Sequence, residues 1–491
     1  MAIKERKMSE VTKSNWVLVL SFLFIMANSA LIAIEQYWFA AVPFAIALLA
    51  MAFVATDKLM WFIIFATPLS INLEELNLGF GQVGMFLPTE PLLFVLMIIF
   101  FLKLLYERKF DREVIYHPIS IAIYIYLGWI LITTLTSTMF FVSLKSFLAK
   151  LWFIITFYFI GSQLYKSKKN ILTFAWLYLI PLVGVAIYTF IHHSTYGFQE
   201  RPAHWVMQPF FKDHTVYGAV VAMMFPISLM LISLKRYTKF RLITVLMATA
   251  IALGIVFSYG RAAWISLLVG LIVSLIYIFK LRYKFVLSLA GLVILFTVVF
   301  WSDIMNLVEK NTIDSTSENL TEHVQSIANI STDASNLERI NRWNSAIEMF
   351  KRKPIFGWGP GTYTFQYAPF QSAEDLTIIS TNAGDGGNAH SEFIGPLSES
   401  GLLGMLTFLL VIVVFYYRAT VLYYKLPPSE IRSILLFVLI AFTTYIVNGM
   451  LNNFLDTDKA SVPFWTFVAI VVVIDLHWEK MLSQENEQVK K

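Results

Sequence analysis

The sequence predicts an all-α fold, a polytopic membrane helix bundle of about 12–14 transmembrane helices with one large periplasmic loop. Three observations lead to this fold class: 58% of the 491 residues are hydrophobic, only 14% are charged, and the mean hydropathy is +0.68. A soluble domain averages about 45–50% apolar and about 25% charged residues. The net charge of +5 comes from short Lys and Arg clusters between apolar runs, so it does not indicate nucleic-acid binding.

Stretches of about 20 apolar residues, long enough to cross a bilayer as a helix, recur along the whole chain. They lie near 16–34, 37–55, 59–71, 89–106, 118–138, 146–164, 171–191, 214–234, 241–258, 262–279, 284–301, 393–417, 430–449 and 462–478. The stretch at 59–71 is short and is compatible with a re-entrant segment. We therefore expect an N-terminal transmembrane bundle (1–301), a large periplasmic loop with an amphipathic helix (302–392) and C-terminal transmembrane helices (393–491).

Positive charge alternates along the loops and predicts the orientation of the chain. Every second loop is rich in Lys and Arg, and such loops face the cytoplasm by the positive-inside rule. These loops contain Arg108, Lys109 and Arg112; Lys166, Lys168 and Lys169; Lys235, Arg236, Lys239 and Arg241; Lys280, Arg282 and Lys284; and Arg418, Lys425 and Arg432. Both termini are expected on this side. The loops 192–213 and 302–392 then face the opposite side, with Asn341 and Gly361 outside.

The polar segment 302–392 contains a predicted helix at 335–352. Its apolar positions are Leu337, Ile340, Ala346, Ile347 and Phe350, at helical spacing. Pro354 ends the helix, and the following Phe356-Gly-Trp-Gly-Pro-Gly-Thr-Tyr363 is typical of turns.

Arg261 is the first candidate for chemistry, since ionisable residues at membrane level are functional hypotheses by default. It follows Ser258-Tyr259-Gly260 and begins an otherwise uncharged helix. Its planar guanidinium can hold phosphate oxygens in a low-dielectric cleft. The alternative interpretation is a snorkelling side chain that fixes the helix end.

His390 is the second candidate, where the large loop re-enters the membrane, with Glu392 and Glu399 just beyond it. A neutral imidazole at this position could accept a hydroxyl proton or donate hydrogen bonds to an anion. The alternative is a structural histidine. Gly401 and Gly404 indicate close helix packing.

Arg339 and Arg342 form the third candidate, because two arginines three residues apart share one face of the predicted loop helix. They could grip a phosphate or a sugar chain, with Trp343 stacking on a pyranose. The alternative is a solvated pair of charges.

The 192–213 loop is the fourth candidate, with Trp205 beside its basic residues. The basic residues in and next to it are His192, His193, Arg201, His204 and His214. Their irregular spacing does not favour a metal site. Asp456-Thr-Asp458 is a weak match to the Asp-X-Asp pair of metal-dependent glycosyltransferases, so the sequence predicts no metal.

Other mechanisms find no support in the sequence. The chain lacks a Walker phosphate loop, a dinucleotide fingerprint and a Gly-x-Ser-x-Gly elbow. It has no cysteine, which excludes thiolate chemistry and Cys-ligated metals.

Three ordered motifs resemble the O-antigen ligase and O-antigen polymerase superfamily of bacterial envelope glycosyltransferases. His390-Ser391, nine residues and Gly401-Leu-Leu-Gly404 fit the family pattern His-(Asn/Ser/Gln)-nine-Gly-x-x-Gly. Gly260-Arg-Ala-Ala-Trp264 is similar to the family's arginine-bearing span. Arg339, with Trp343, Ala346, Pro354 and Gly357-Trp-Gly-Pro-Gly361, is similar to its loop signature.

The resemblance implies a C-type glycosyltransferase in a bacterial inner membrane that needs no nucleotide sugar, metal or other cofactor. Its donor would be a glycan on undecaprenyl pyrophosphate, and its other partners the acceptor and membrane lipids. Arg261, Arg339 and His390 would be catalytic. Arg342, Arg201, His214, Trp343 and Ser391 would bind substrate. A single in-line displacement would invert the anomeric configuration.

The first interpretation is a ligase that transfers the glycan to lipid A–core, and the identity of the acceptor stays open. The motifs are shared by ligases, which use lipid A–core, by polymerases, which use another repeat unit, and by protein O-oligosaccharyltransferases. A lipid-linked glycan transporter is the alternative from a different class, and it predicts charges that line a central cavity.

Overall fold

The computed structural model of the protein describes residues 2–34, 38–73, 85–107, 110–281, 334–372, 376 and 387–489. The chain forms two compact units, Met1–Leu59 and Met60–Lys491. The first contains helices α1 (Ala2–Ala33) and α2 (Val42–Val54) and a 3₁₀ turn at Trp38–Ala41. Helix α3 (Thr56–Ala66) begins in the first unit and ends in the second.

The second unit is built from long helices. They are α4 (Thr89–Glu107), α5 (Pro118–Leu135), α6 (Phe140–Phe153, continued by a π-helix at Ile154–Ile160 and by Gly161–Leu164), α7 (Lys168–Ser194), α8 (His214–Ser233), α9 (Arg241–Val256), α10 (Arg261–Ile278), α11 (Ala334–Arg352), α12 (Ile394–Lys425), α13 (Glu430–Leu451) and α14 (Asp458–Val489). Short helical turns lie at Thr67–Leu69, Arg112–Ile115, Glu200–Ala203, Lys235–Phe240, Tyr363–Gln366 and Ala368–Phe370. Strands β1 (Ile71–Asn72) and β2 (Phe86–Leu87) pair antiparallel, with Ile71 opposite Leu87.

Several helix ends follow from capping residues in the sequence. The side chains of Ser167, Asp213 and Ser429 accept hydrogen bonds from the first backbone N–H groups of α7, α8 and α13. These caps satisfy donors that have no partner inside the helix. Helices α8, α13 and α14 form the bundle core, because 67–83% of the most apolar stretch of each is buried inside the protein. The corresponding share in α9 and α10 is only 28–33%.

Ten helices of the described part of the chain are long and apolar enough to cross a membrane, and two shorter apolar helices lie at Leu18–Ala33 and Val42–Val54. The predicted multi-pass all-α bundle is therefore confirmed. The predicted span at 59–71 is wrong in length, because α3 ends at Ala66, and Ser70 begins an extended segment that leads into β1. The predicted span at 284–301 lies outside the described residues.

The basic loops meet at one end of the bundle, where they form ion pairs. Lys166 Nζ lies 2.8 Å from Asp111 Oδ2, and Lys168 Nζ lies 3.0 Å from Glu430 Oε2. The loops before α6, before α12 and before α14 meet at the other end: the Thr138 N–H donates to Trp358 O, and Asn388 Nδ2 donates to Asn453 O. Which end faces the cytoplasm stays a prediction from the charge pattern.

Cysteine labelling tests this orientation in a chain that has no native cysteine. Asn344 and Lys239 are exposed at opposite ends and suit the experiment, whereas Asn341 is fully buried. We expect an impermeant maleimide to label Asn344→Cys, but not Lys239→Cys, in cells with a permeable outer membrane and an intact inner membrane. Labelling of Lys239→Cys without permeabilisation of the inner membrane would reverse the assignment.

Helix α12 is broken at Gly401, and the segment that follows α11 packs against this break. Gly401 has φ +70° and ψ −172° inside an otherwise helical run. The carbonyls of Ser398, Glu399 and Ser400 accept from Trp358 N–H (3.1 Å), Gly359 N–H (2.7 Å) and Trp129 Nε1 (2.8 Å). The protein thus satisfies the backbone groups that the break releases, as non-helical backbone at membrane depth requires.

Replacing Gly401 by alanine is expected to destabilise the protein strongly. The left-handed backbone costs a non-glycine residue about 1–3 kcal/mol, and the added Cβ would also overlap the backbone carbonyl of Ile355. Gly184→Ala, inside α7 with no atom within 4 Å of the added Cβ, is the matched control. Thermal unfolding in detergent should show a lower Tm for Gly401→Ala only. Equal Tm values for both variants would contradict the role given to the break.

Candidate active site

Helix α11 presents a polar face to the rest of the loop. Its bounds, Ala334–Arg352, agree with the predicted 335–352. The buried positions are Glu338, Asn341, Arg342, Ser345, Ala346 and Met349. The predicted apolar stripe is wrong in part: Ala346 is buried, but Ile347 is 36% exposed, so the buried face is rotated toward polar residues.

Arg342 is held inside the loop by four interactions. Its Nε donates to Glu338 Oε1 at 2.7 Å, and its Nη1 donates to the Asn388 carbonyl at 3.3 Å. Its guanidinium carbon lies 4.7 Å from the ring centre of Tyr367, and its own carbonyl accepts from Tyr363 Oη. Arg342 therefore ties α11 to the segment that precedes His390.

His390 lies in a strained turn that the loop helix supports. Its φ of +48° is unusual for a residue with a side chain, and such strain is typical of functional sites. The His390 N–H donates to Asn388 Oδ1 at 3.0 Å, and the His390 carbonyl accepts from Trp343 Nε1 at 3.4 Å. Ser391 Oγ accepts from Phe393 N–H and Ile394 N–H at 3.3 Å and so starts α12.

Positive charges surround the imidazole of His390. Burial, and then the charges of Arg339 and Arg342, lower the pKa of His390 to about 4; Glu338 and Asp213 act in the opposite sense. Burial, and then the Arg261 guanidinium, lower the pKa of Arg339 to about 10. Arg261, Arg339 and His390, far apart in sequence, are thus close enough to interact. The imidazole is neutral at pH 7.

Two helix N-termini lie at the same end as these residues. Arg261 is the first residue of α10, and the residue at the N-cap, Gly260, has no side chain with which to cap this terminus. The α8 terminus is capped by Asp213, whose carboxylate interacts with His390. Gly260 and Gly218 face each other across Ser258, which brings the two helices close. Positive helix dipoles therefore add to the arginines.

Glu392 is held by three donors inside the protein. Its Oε1 accepts from Tyr445 Oη at 2.7 Å and from the N–H groups of Phe454 and Leu455 at 2.8 Å. Burial raises the pKa of Glu392 to about 7 against these hydrogen bonds. These hydrogen bonds hold the segment before α12 against α13 and against the segment that leads into α14.

Two histidines in the 192–213 loop make hydrogen bonds to backbone carbonyls of the same loop. His192 Nδ1 lies 2.9 Å from Val206 O, and His193 Nε2 lies 2.7 Å from Gln199 O. The rings of His204 and His214 lie 4.1 Å apart. Arg201 is exposed and follows Glu200, which interacts electrostatically with Arg261.

Within the described residues, no three His, Asp or Glu side chains form a group that could hold a metal ion. The two carboxylates of Asp456-Thr-Asp458 have different surroundings. Asp456 is exposed, whereas Asp458 is fully buried and accepts from the hydroxyls of Ser70 and Thr89 at 2.6 Å. Asp458 therefore has a structural role between α14 and the segments around Ser70 and Thr89.

Residues 242–409 match the family model described as O-antigen ligase. This domain match supports the O-antigen ligase superfamily for this part of the chain. The match includes Arg261, Arg339, Arg342, His390 and the break at Gly401. This domain supports a glycosyl-transfer role of the ligase or polymerase kind for a multi-pass membrane protein. No curated protein matches the chain.

A polar cavity lies beside the O-antigen ligase motif and was not predicted from the sequence. It measures about 600 Å³, including the space that opens to solvent, and its lining includes Tyr126, Lys150, Glu392, Glu399, Asn453 and Trp465. One feature of the sequence could have indicated it: Lys150 is a lysine within a predicted apolar span. The contribution of Asn453 and Trp465 depends on helix packing that the sequence does not reveal.

Proposed function

We propose that the protein transfers a glycan from undecaprenyl pyrophosphate to lipid A–core at the periplasmic face of the inner membrane. The reaction is an inverting, metal-independent single displacement. The observation that carries the proposal is the proximity of two arginines, Arg261 and Arg339, to a neutral imidazole at His390. The match to the O-antigen ligase family supports it.

The arginine pair is suited to the pyrophosphate of the donor. Arg261 and Arg339 repel each other in a partly buried site, and this repulsion is relieved when a bound anion carries two negative charges. Each guanidinium can hold two phosphate oxygens. The N-terminus of α10 adds backbone donors beside Arg261. The same groups would stabilise the charge that builds on the leaving pyrophosphate.

His390 is proposed to accept the proton of the acceptor hydroxyl. The hydroxyl oxygen attacks the anomeric carbon as the bond from that carbon to the pyrophosphate oxygen breaks. The hydroxyl proton passes to an imidazole nitrogen, and the electron pair of the broken bond leaves with the pyrophosphate. The bound pyrophosphate offsets the charges of Arg339 and Arg342, so donor binding makes the imidazole a stronger base.

The remaining predicted residues have supporting positions in this proposal. Arg342, Trp343 and Ser391 hold the turn that carries His390, through the contacts with Asn388 O, His390 O and the start of α12. His214 begins α8 beside Asp213, and Arg201 adjoins Glu200 near Arg261. We propose that His214 and Arg201 contact the glycan or the pyrophosphate of the donor.

The titration of His390 provides a direct test. In the donor-free protein its pKa of about 4 keeps the imidazole neutral well below pH 6.5, and adding inorganic pyrophosphate should raise that pKa. Pyrophosphate should correspondingly bind more tightly as the pH falls, because the coupling is reciprocal. NMR of ¹⁵N-histidine protein, assigned with His390→Asn, measures both effects. A midpoint near 6.5 that pyrophosphate does not move would contradict the proposed site.

The acceptor is tested by the envelope glycans of a deletion strain. Accumulation of unligated, lipid-linked polymer supports the ligase function, whereas lipid A–core capped with single repeats would indicate a polymerase. Intact envelope glycans together with unmodified proteins would indicate a protein O-oligosaccharyltransferase. A transporter would move the lipid-linked glycan across vesicle membranes and form no glycosidic bond.

A further inference from the structure

The cavity beside the O-antigen ligase motif is lined by a half-buried lysine from the middle of α6. Lys150 lies about 15 Å along α6 from Phe140, which is at the outer end of that helix. Lys150 lines the cavity and, among the described residues, its ammonium forms no hydrogen bond or direct ion pair. It interacts electrostatically with the carboxylates of Glu399, Asp456 and Glu392.

A lysine at such a position is costly unless it serves a purpose. Burying an ammonium group away from water carries a penalty of several kcal/mol unless opposite charges offset it. Ionisable residues inside membrane spans therefore mark binding sites and pathways by default. The three donors of an ammonium are well placed for a ligand that enters the cavity.

The cavity lining has the mixture of groups that binds a sugar ring. Lys150 donates, Glu399 accepts, and the side chain of Asn453 can do both. Tyr126 and Trp465 provide aromatic surfaces. A pyranose presents hydroxyl groups around its edge and C–H groups on its faces, so a lining of this kind complements it.

The cavity and the arginine site lie next to the same turn but differ in chemistry. His390 interacts with Arg339 and Arg342, whereas Glu392, two residues later, lines the cavity, and no arginine is among the described residues of that lining. A reaction between two substrates needs two such subsites beside one base. We propose that this cavity binds a sugar ring of the acceptor glycan; the inference rests on the proposed glycosyl transfer.

Kinetics of a Lys150→Met variant separate the acceptor from the donor. The probes are the host's lipid-linked glycan as donor, and either lipid A–core or the lipid-linked glycan as acceptor. We expect the acceptor KM to rise at least tenfold, while donor binding stays within twofold of wild type, and Lys150→Arg should restore part of the loss. Lys145→Met is the matched control, since Lys145 is exposed on the same helix and does not line the cavity.

Each outcome has a distinct meaning. An unchanged acceptor KM in Lys150→Met, or weakened donor binding instead, overturns the inference while leaving the glycosyl transfer intact. A wild-type protein that transfers to neither acceptor contradicts the proposed function. The acceptor on which Lys150→Met raises KM identifies whether the sugar comes from lipid A–core or from a growing glycan.

Thiol protection tests binding without catalysis and does not depend on the Lys150 variants folding. Asn453→Cys introduces a single cysteine into the cavity lining. We expect the acceptor glycan to slow its reaction with a small methanethiosulfonate at least fivefold, and inorganic pyrophosphate to have no effect. Protection by pyrophosphate alone, or by neither probe, would overturn the inference.

Discussion

The His390→Asn variant is expected to lose glycan transfer by a factor of about 10²–10⁴, the usual contribution of a general base. Asparagine tolerates the positive φ of +48° at this position better than alanine, so the turn should survive the substitution. Donor binding and the Tm should therefore remain close to wild type. Transfer rates, donor binding and thermal unfolding of the purified variant together measure the effect.

The matched control is His192→Asn, whose imidazole contacts the Val206 carbonyl and the rings of Tyr188 and Tyr196 in the part of the chain that the structure describes. It should retain transfer. Full activity in His390→Asn would remove His390 from the mechanism. Loss of donor binding together with transfer would make His390 a phosphate ligand, and another base would be needed. Glu392 is then poorly suited, because three donors already hold its carboxylate.

The Arg339→Lys variant is expected to lower kcat/KM for the donor at least 30-fold, about 2 kcal/mol. Lysine keeps the charge but loses the planar fork that binds two phosphate oxygens. Arg261→Lys should behave similarly, and the double variant should lose less than the product of the two single losses, because both side chains bind one group. Kinetics at varied donor concentration measure these effects.

Arg352→Lys provides the control on the same helix. Arg352 is exposed and lies over the Phe370 ring at 5.2 Å, an interaction that lysine can also make. It should stay within twofold of wild type. If Arg339→Lys and Arg261→Lys are as active as this control, the arginines do not clamp pyrophosphate, and a role at the membrane interface becomes the better explanation.

The bundle and the grouping of the loops could be predicted because hydropathy and charge alternation are properties of each segment. That Arg261, Arg339 and His390 come together follows from loops that lie at the same end of the bundle. The salt bridge from Glu338 to Arg342 could also have been predicted, since the residues are four apart on a helix. Local sequence was therefore sufficient to predict the fold class and to propose Arg261, Arg339 and His390 as site residues.

Long-range packing determined what the sequence did not reveal. Whether Arg342 is free for substrate depends on the Asn388 carbonyl, 46 residues away, and on the ring of Tyr367. The exposure of Ile347 follows from the docking of α11 through polar residues, which periodicity of apolar residues does not detect. Lys150 lies inside a predicted apolar span, and only the structure shows that it lines a cavity.

One measurement tests the central proposal most directly: the products formed by the purified wild-type protein in EDTA from a glycan on undecaprenyl pyrophosphate and lipid A–core. The account predicts that free undecaprenyl pyrophosphate and glycosylated lipid A–core appear in equal amounts, with inverted anomeric configuration at the new bond. Formation of product only after Mg²⁺ or Mn²⁺ is added, retention of configuration, or movement of the intact donor across the bilayer without a new bond would contradict it.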